Sequence, residues 1–341
     1  MEKLLLDFVY AWENCNFRCR YCSSQKHATG LDAPARRLLA ANLDHALNSL
    51  KDRFLIYRFS GGEIFLAEEI LRDLLDRSFP LTQFLTNGSV LSERMLEKLA
   101  DARDRVSVGL SLDGHTTAMN RLRESPSGMR ENTLKRILEN FSRLAEARVP
   151  VEIQTVLSEA NARDFSRFLE FLLERFPGAC LLVSPFPVRP LAARLDTADL
   201  RRTVNRYDTY ASLLPSRDYM EGLIRCLEQG RRDPCRVPEH VTFRVLRDGA
   251  TPSPRLVRYF CECGGLRFTY GPECASCHTH YDLLNSLIAG RTDPDEVDFP
   301  LYKSQKVRAY LREVRGRPRR RARRARGLFD SARARILGNR I

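Results

Sequence analysis

The first 190 residues alternate between short apolar runs and longer amphipathic segments, and this alternation restricts the chain to few folds. Strands that are buried on both faces of a sheet read as continuous apolar runs. When such runs alternate with helical patterns, they indicate βαβ units and a parallel sheet. The predicted strands are residues 4–12, 54–59, 81–85, 105–112, 151–157 and 179–183, and the clearest predicted helices are residues 35–50, 70–77, 92–102, 130–147 and 162–176.

Six such strands fit an open α/β barrel, a partial (β/α)6 TIM-type barrel, better than a closed barrel of eight. After Pro190 the pattern changes. We expect a barrel over residues 1–190, a helical bridge over 191–234, a small cysteine-rich domain over 235–290 and an arginine-rich helical tail over 291–341.

Small, polar or metal-binding residues follow the predicted strands, at the edge where barrels of this type carry their reactive groups. Cys15 follows the first strand, Gly61-Gly62-Glu63 the second and Asn87 the third. Ser111 and Asp113 stand at the end of the fourth strand and Gln154 lies on the fifth, so the periodicity and the chemistry agree.

Three of the ten cysteines lie close together after the first strand, as Cys15-x3-Cys19-x2-Cys22. Three thiolates on one loop can hold three irons of a [4Fe–4S] cluster and leave the fourth iron open to another ligand. A structural zinc ion would be the alternative, but it prefers four closed ligands in two separated pairs. The spacing therefore favours an iron–sulfur cluster with an open iron.

The segment CNFRCRYC resembles the signature of the radical S-adenosylmethionine (SAM) superfamily. The resemblance implies that SAM binds the open iron through its amino and carboxylate groups. Reductive cleavage of SAM would then give a 5′-deoxyadenosyl radical that abstracts hydrogen from a substrate. The same resemblance places Tyr21, the residue before the third cysteine, among the cofactor-binding residues.

Further motifs resemble the family in the expected order. Gly61, Gly62 and Glu63 resemble the segment that receives the methionine amino group, where glycines permit close approach and a carboxylate suits an ammonium. Helix capping is the alternative role for Asp113. By resemblance, Asn87 is the polar end of the third strand, and Ser111 and Asp113 contact the SAM ribose or carboxylate. The same resemblance pairs Arg123 with the SAM carboxylate, with Arg121 as the competing candidate. It places Gln154 opposite the ribose.

A second group of cysteines resembles the auxiliary-cluster module called a twitch domain, a shortened SPASM domain. By that resemblance Cys235, Cys261, Cys274 and Cys277 bind a second [4Fe–4S] cluster. Zinc remains an alternative, because His278 or His280 could replace a thiol. Cys263 could replace Cys261, or it could donate a hydrogen atom to a substrate radical.

Most of the net charge of +13 belongs to the C-terminal end, where residues 308–341 contain 13 arginines against two acids. Such a segment can bind nucleic acid or another anionic partner, or it can be a solvated helix. No apolar run is long enough to span a membrane, and we expect a cytoplasmic protein.

The sequence thus predicts a radical SAM enzyme that acts on a peptide, a protein or a small metabolite, with flavodoxin or ferredoxin as the electron donor by family resemblance. The alternatives are an enzyme that modifies nucleic acid and a non-catalytic, zinc-bearing binding module. No catalytic general base can be named from the sequence.

Two [4Fe–4S] clusters would give about eight irons per chain after anaerobic reconstitution. We expect the Cys15→Ala/Cys19→Ala/Cys22→Ala variant to contain about four, because only its auxiliary cluster would remain. Iron and sulfide analysis measures both values. Zinc without iron in the parent protein would contradict the prediction.

Overall fold

A computed structural model describes residues 3–10, 15–22, 41, 44, 47, 48, 53–125, 127–187, 195–230, 236–245, 256–257 and 282–316. Four residues of the predicted helix 35–50 fall within these ranges, and they are helical. Several predictions lie outside the described residues: the ligands Cys235, Cys261, Cys274 and Cys277, the alternatives Cys263, His278 and His280, and the arginine-rich segment after residue 316.

Six parallel strands form the sheet that the sequence predicts. They are β1 (Lys3–Tyr10), β2 (Phe54–Gly61), β3 (Leu81–Thr86), β4 (Val106–Ser111), β5 (Val151–Leu157) and β6 (Leu181–Pro187). Each pairs with the next strand along the chain, as βαβ units require. Within the described residues the sheet does not close on itself, which confirms the partial barrel.

Strand β6 continues to residue 187, beyond its predicted end at 183, even though Pro185 and Pro187 lie within it. Proline is compatible with a strand at the edge of a sheet, where its missing N–H group is not needed. In the described sheet β6 is the last strand and pairs with β5 alone. Its position in the fold therefore permits residues that local sequence rules exclude.

Amphipathic helices connect the strands and cover the sheet. Their buried positions are apolar, as in Leu134, Ile137 and Phe141 of α3. Ser92 begins α2 by accepting a hydrogen bond from the Met95 amide at 3.0 Å. The helices between strands are α1 (Glu68–Leu75), α2 (Glu93–Asp101), α3 (Glu131–Glu146) and α4 (Phe165–Arg175), followed by α5 (Ala198–Asn205), α6 (Tyr207–Tyr210) and α7 (Arg217–Gln229).

The C-terminal part of the chain packs on the barrel. Strand β7 (Val241–Val245) pairs in parallel with β1, and the short β8 (Leu256–Val257) pairs with β7 in the antiparallel sense. The helices of this region are α8 (Val237–His240), α9 (Leu283–Ala289), α10 (Pro300–Lys303) and α11 (Gln305–Gly316). Their buried apolar side chains belong to the same core cluster as those of the barrel. None of the helices described here is long and apolar enough to cross a membrane.

A buried polar network joins the barrel interior to α10. Arg58 Nε donates to Gln83 at 2.9 Å, and Gln83 donates to the Glu152 carboxylate at 2.8 Å. The Tyr302 hydroxyl donates to the same Glu152 oxygen at 3.0 Å, and Arg58 also lies 3.8 Å from Asp7. Burial raises the pKa of Glu152, and the positive charge of Arg58 opposes this shift. The network thus fastens a C-terminal helix to strands that lie far away in the sequence.

Replacing Tyr302 by Phe removes one donor from the buried carboxylate of Glu152. We expect the free energy of unfolding to fall by about 1–3 kcal/mol, the usual effect of leaving a buried polar group less satisfied. Urea denaturation measures it. Lys303→Ala, which removes an exposed ion pair with Asp298, is the matched control and should change stability by less than about 1 kcal/mol. Equal effects of the two substitutions would contradict the structural role of the network.

Candidate active site

The three N-terminal cysteines lie on one loop, residues 15–22, beyond the carboxyl end of β1. Cys15 is buried, and Cys19 and Cys22 are half-buried. The Cys22 amide donates to the Cys19 carbonyl at 3.1 Å, which closes a tight turn. Among the described residues no group of three His, Cys, Asp or Glu side chains is gathered closely enough to hold a single metal ion.

The loop is attached to the end of β3 through side-chain amides. Asn87 donates to the side-chain oxygen of Asn16 at 2.9 Å, and Asn16 donates in turn to the Ser89 hydroxyl at 2.8 Å. The Asn87 side-chain oxygen also accepts from the Ser89 amide at 2.9 Å. The side chain of Asn87 is therefore engaged with the cysteine loop, and its contact with the cofactor stays a prediction.

A second attachment joins the loop to residues 122–124. The Arg18 amide donates to the Glu124 carbonyl at 2.5 Å, and the Arg20 amide donates to the Leu122 carbonyl at 2.8 Å. These two bonds lie on either side of Cys19 in the sequence. They resemble a short strand pairing, with Arg123 placed between them.

Asp113 lies just beyond the end of β4 and is buried. Its carboxylate accepts from the Tyr21 hydroxyl at 2.8 Å and from the Val156 amide at 3.0 Å. Burial raises the pKa of Asp113, and the charge of Arg123 opposes this shift. Burial also raises the pKa of Tyr21, so its hydroxyl stays protonated and acts as the donor. Asp113 thus joins the cysteine loop to β5 and does not cap a helix.

Arg123 is almost fully buried, with 1% of its surface exposed. Its guanidinium carbon lies 5.9 Å from the centroid of the Phe17 ring. Burial by itself would lower the pKa of Arg123, but the neighbouring Tyr21 and Asp113 raise it, so the group is a cation. Within the described part of the chain, Nε and Nη1 of Arg123 have no hydrogen-bond partner.

The structure separates the two competing arginines. Arg121 is exposed and forms a surface ion pair with Glu159 at 2.9 Å. Arg123 faces the cysteine loop inside the protein. Of the two, Arg123 is the one that can meet a ligand in the site.

Glu63 is completely buried and follows the glycine pair at the end of β2. Its carboxylate accepts from Thr86 Oγ1 at 2.7 Å, from the Asn87 amide at 2.6 Å and from the Phe65 amide at 3.0 Å. Gly61 has a φ of 138°, a conformation that suits glycine. The motif therefore connects the ends of β2 and β3, and its interaction with an ammonium group stays a prediction.

Ser111 and Gln154 are register partners on β4 and β5 and are half-buried, so their side chains lie on the same face of the sheet. A Cβ atom at Gly109 would lie 3.6 Å from the Gln154 side-chain nitrogen and 2.2 Å from a carbon of Leu85. The absence of a side chain at Gly109 thus leaves the space that the side chains of Leu85 and Gln154 occupy.

Comparison with known proteins agrees with this fold. A sequence model described as the radical SAM superfamily matches residues 9–172. A GTP 3′,8-cyclase of Aliarcobacter butzleri (strain RM4018) is 25% identical over 181 residues, which are 49% of this chain and 51% of the relative. The chain thus spans about half the length of this curated relative.

Among solved structures, SuiB of Streptococcus suis has the same fold. It aligns with 71% of this chain and 58% of its own, at 16% identity and a TM-score of 0.51. SuiB bound to its precursor peptide SuiA aligns with 72% of this chain and 58% of its own, again at 16% identity and a TM-score of 0.51.

The fold and the matched sequence define the class: residues 9–172 belong to a radical SAM domain. A domain of this superfamily implies SAM and a [4Fe–4S] cluster as cofactors. The residues present fit these groups, because three thiols share one loop and two nitrogens of a buried cation beside them have no hydrogen-bond partner among the described residues. An anionic group such as a carboxylate would satisfy those nitrogens.

Sequence reasoning missed Asn16, Asn161 and Glu124, which support the predicted residues. Asn161 donates to the Asp113 carbonyl at 2.9 Å, and Glu124 accepts from the loop through its own carbonyl. The contacts by which they support the site join residues at least 48 positions apart, so no local pattern could have identified this role.

Proposed function

We propose that Cys15, Cys19 and Cys22 bind the [4Fe–4S] cluster and that Arg123 receives the carboxylate of SAM. The observation that carries this proposal is the guanidinium of Arg123, which is buried beside the cysteine loop and has two nitrogens without a hydrogen-bond partner among the described residues. A buried donor without a partner costs about 1–3 kcal/mol. A carboxylate at this position would remove that cost and add charge-assisted hydrogen bonds.

The remaining residues position and enclose the cofactor. Gly61 and Gly62 permit a close approach of the methionine end of SAM, and Glu63 provides negative charge for its amino group. We assign Ser111, Asp113 and Gln154 to the ribose side of SAM. Tyr21 supports Asp113, because its hydroxyl donates a hydrogen bond to the Asp113 carboxylate. When bound, the cluster and SAM supply one electron and a 5′-deoxyadenosyl radical that removes a hydrogen atom from the substrate.

We further propose that the substrate is a peptide or a protein, with a small metabolite as the second candidate. The peptide is favoured because SuiB, which shares the fold, has a structure with its precursor peptide. The similarity to a GTP 3′,8-cyclase supports the second candidate. Nucleic acid has only the arginine-rich segment in its favour.

Three parts of the proposal rest on the sequence. A second [4Fe–4S] cluster on Cys235, Cys261, Cys274 and Cys277 would complete a twitch-like domain, with zinc as the alternative. A flavodoxin or a ferredoxin would supply the electron. The enzyme would work in the cytoplasm, where thiols stay reduced.

Replacing Arg123 by Met keeps an apolar stem and removes the cation. We expect the SAM concentration that half-saturates the reconstituted protein to rise at least tenfold, because a charge-assisted hydrogen bond contributes about 1.5–3 kcal/mol. The change of the reduced cluster's electron paramagnetic resonance spectrum with added SAM measures it. Arg121→Met, which removes an exposed cation nearby, is the matched control. Equal affinities for SAM in the two variants would contradict the role of Arg123.

A short reading frame beside the gene would supply a candidate peptide. We expect a deuterium-labelled synthetic form of this peptide to increase formation of 5′-deoxyadenosine, and we expect its deuterium to appear in that product. Mass spectrometry of the 5′-deoxyadenosine and of the peptide measures the transfer. Transfer from a deuterated nucleotide, with none from any such peptide, would favour the small-metabolite class instead.

A further inference from the structure

Residues 122–124 form a two-rung ladder with the cysteine loop. The rungs are the bonds from the Arg18 amide to the Glu124 carbonyl and from the Arg20 amide to the Leu122 carbonyl. A spacing of two residues on both segments is that of neighbouring strands, in which the intervening side chains are fixed by the flanking bonds. The intervening residues are Cys19 on one segment and Arg123 on the other.

Glu124 ends this ladder in an unusual backbone conformation. Its φ is +68°, and among the described residues Arg148 is the only other non-glycine residue with a positive φ. Side chains disfavour this left-handed region, so it persists only where the surroundings determine it. The contacts of Glu124 must therefore hold this conformation.

The Glu124 carboxylate is buried and is held by three donors at the start of α3. The Arg130 amide donates to it at 2.7 Å, the Arg130 Nε at 2.6 Å and the Thr133 hydroxyl at 2.9 Å. These residues begin the helix, where free amides and the helix dipole favour a negative charge. The side chain of Glu124 thus fastens to a helix, while its carbonyl fastens to the cysteine loop.

We propose that Glu124 is a positioning residue, which transmits the fixed position of α3 to Arg123 and to the loop around Cys19. This inference rests on the proposed function, in which Arg123 receives SAM and Cys19 binds iron. With the carboxylate removed, the left-handed backbone loses the contacts that hold it. The chain then relaxes at residue 124, the first rung breaks, and both Arg123 and Cys19 lose their alignment.

The test compares Glu124→Ala and Glu124→Gln with Arg148→Ala. The alanine variant loses the carboxylate while its side chain still disfavours a positive φ, and the glutamine variant keeps the length and loses the charge. Arg148 is the matched control, because it also has a positive φ, is exposed and follows the far end of the same helix. Circular dichroism below the melting temperature tests whether each variant is folded.

The first readout needs no cofactor: iodoacetamide alkylates the reduced apoprotein, and mass spectrometry follows the peptide that contains Cys19. We expect alkylation at Cys19 about tenfold faster in Glu124→Ala, an intermediate rate in Glu124→Gln and the parent rate in Arg148→Ala. A tenfold change corresponds to the loss of roughly one charge-assisted hydrogen bond. Unchanged alkylation in a folded Glu124→Ala variant would overturn the inference. If that variant does not fold, the rate in Glu124→Gln decides in the same way.

The second readout is the reconstituted enzyme. We expect the KM for SAM in 5′-deoxyadenosine formation to rise about tenfold in Glu124→Ala, with a smaller change in kcat, because binding loses its aligned cation. A purely structural role would lower the melting temperature and leave this KM unchanged. A parent protein without any 5′-deoxyadenosine formation would remove the proposed function, whereas the alkylation rates would still decide whether Glu124 aligns the loop.

Discussion

The guanidinium of Arg123 is a cation held inside the protein beside Phe17, Tyr21 and Asp113, and two of its nitrogens have no partner in the described part of the chain. Burying a charge is costly unless other groups compensate it. The carboxylate of Asp113 supplies part of that compensation. In the function proposed above, the carboxylate of SAM supplies the rest.

The fold holds the loop beside this arginine by attaching it to two strand ends and to residues 122–124. Asn16 joins the loop to the end of β3, Tyr21 joins it to the end of β4, and the ladder with residues 122–124 aligns it with Arg123. Because the carboxyl ends of parallel strands meet at one edge, these short contacts can all act on one loop. The network of Arg58, Glu152 and Tyr302 fixes the barrel interior itself.

Much of this arrangement could be predicted from the sequence. The six parallel strands are confirmed, and their ends bring together Asn87, Asp113 and the cysteine loop, because apolar periodicity determines where strands lie. The choice between Arg121 and Arg123 could not be made in the same way. Two arginines on one loop have the same local pattern, and only tertiary packing decides which of them is buried.

Other features depend on the fold as a whole. Strand β6 runs through two prolines because it lies at the edge of the described sheet, and β7 joins β1 across more than 200 residues of chain. Glu124 looks like a surface acid in the sequence, yet it is buried at the start of α3. The pairing of β7 with β1 joins residues that are distant in the sequence, and the burial of Glu124 depends on how the chain packs around it, so local pattern predicts neither.

The central claim is that this loop and its buried arginine bind SAM for reductive cleavage. The most direct test is to incubate anaerobically reconstituted protein with SAM and dithionite and to quantify 5′-deoxyadenosine by liquid chromatography and mass spectrometry. The account predicts steady formation of 5′-deoxyadenosine that disappears when Cys15, Cys19 and Cys22 are replaced by alanine. A fully reconstituted protein that forms none, or one whose triple variant forms as much, would contradict it.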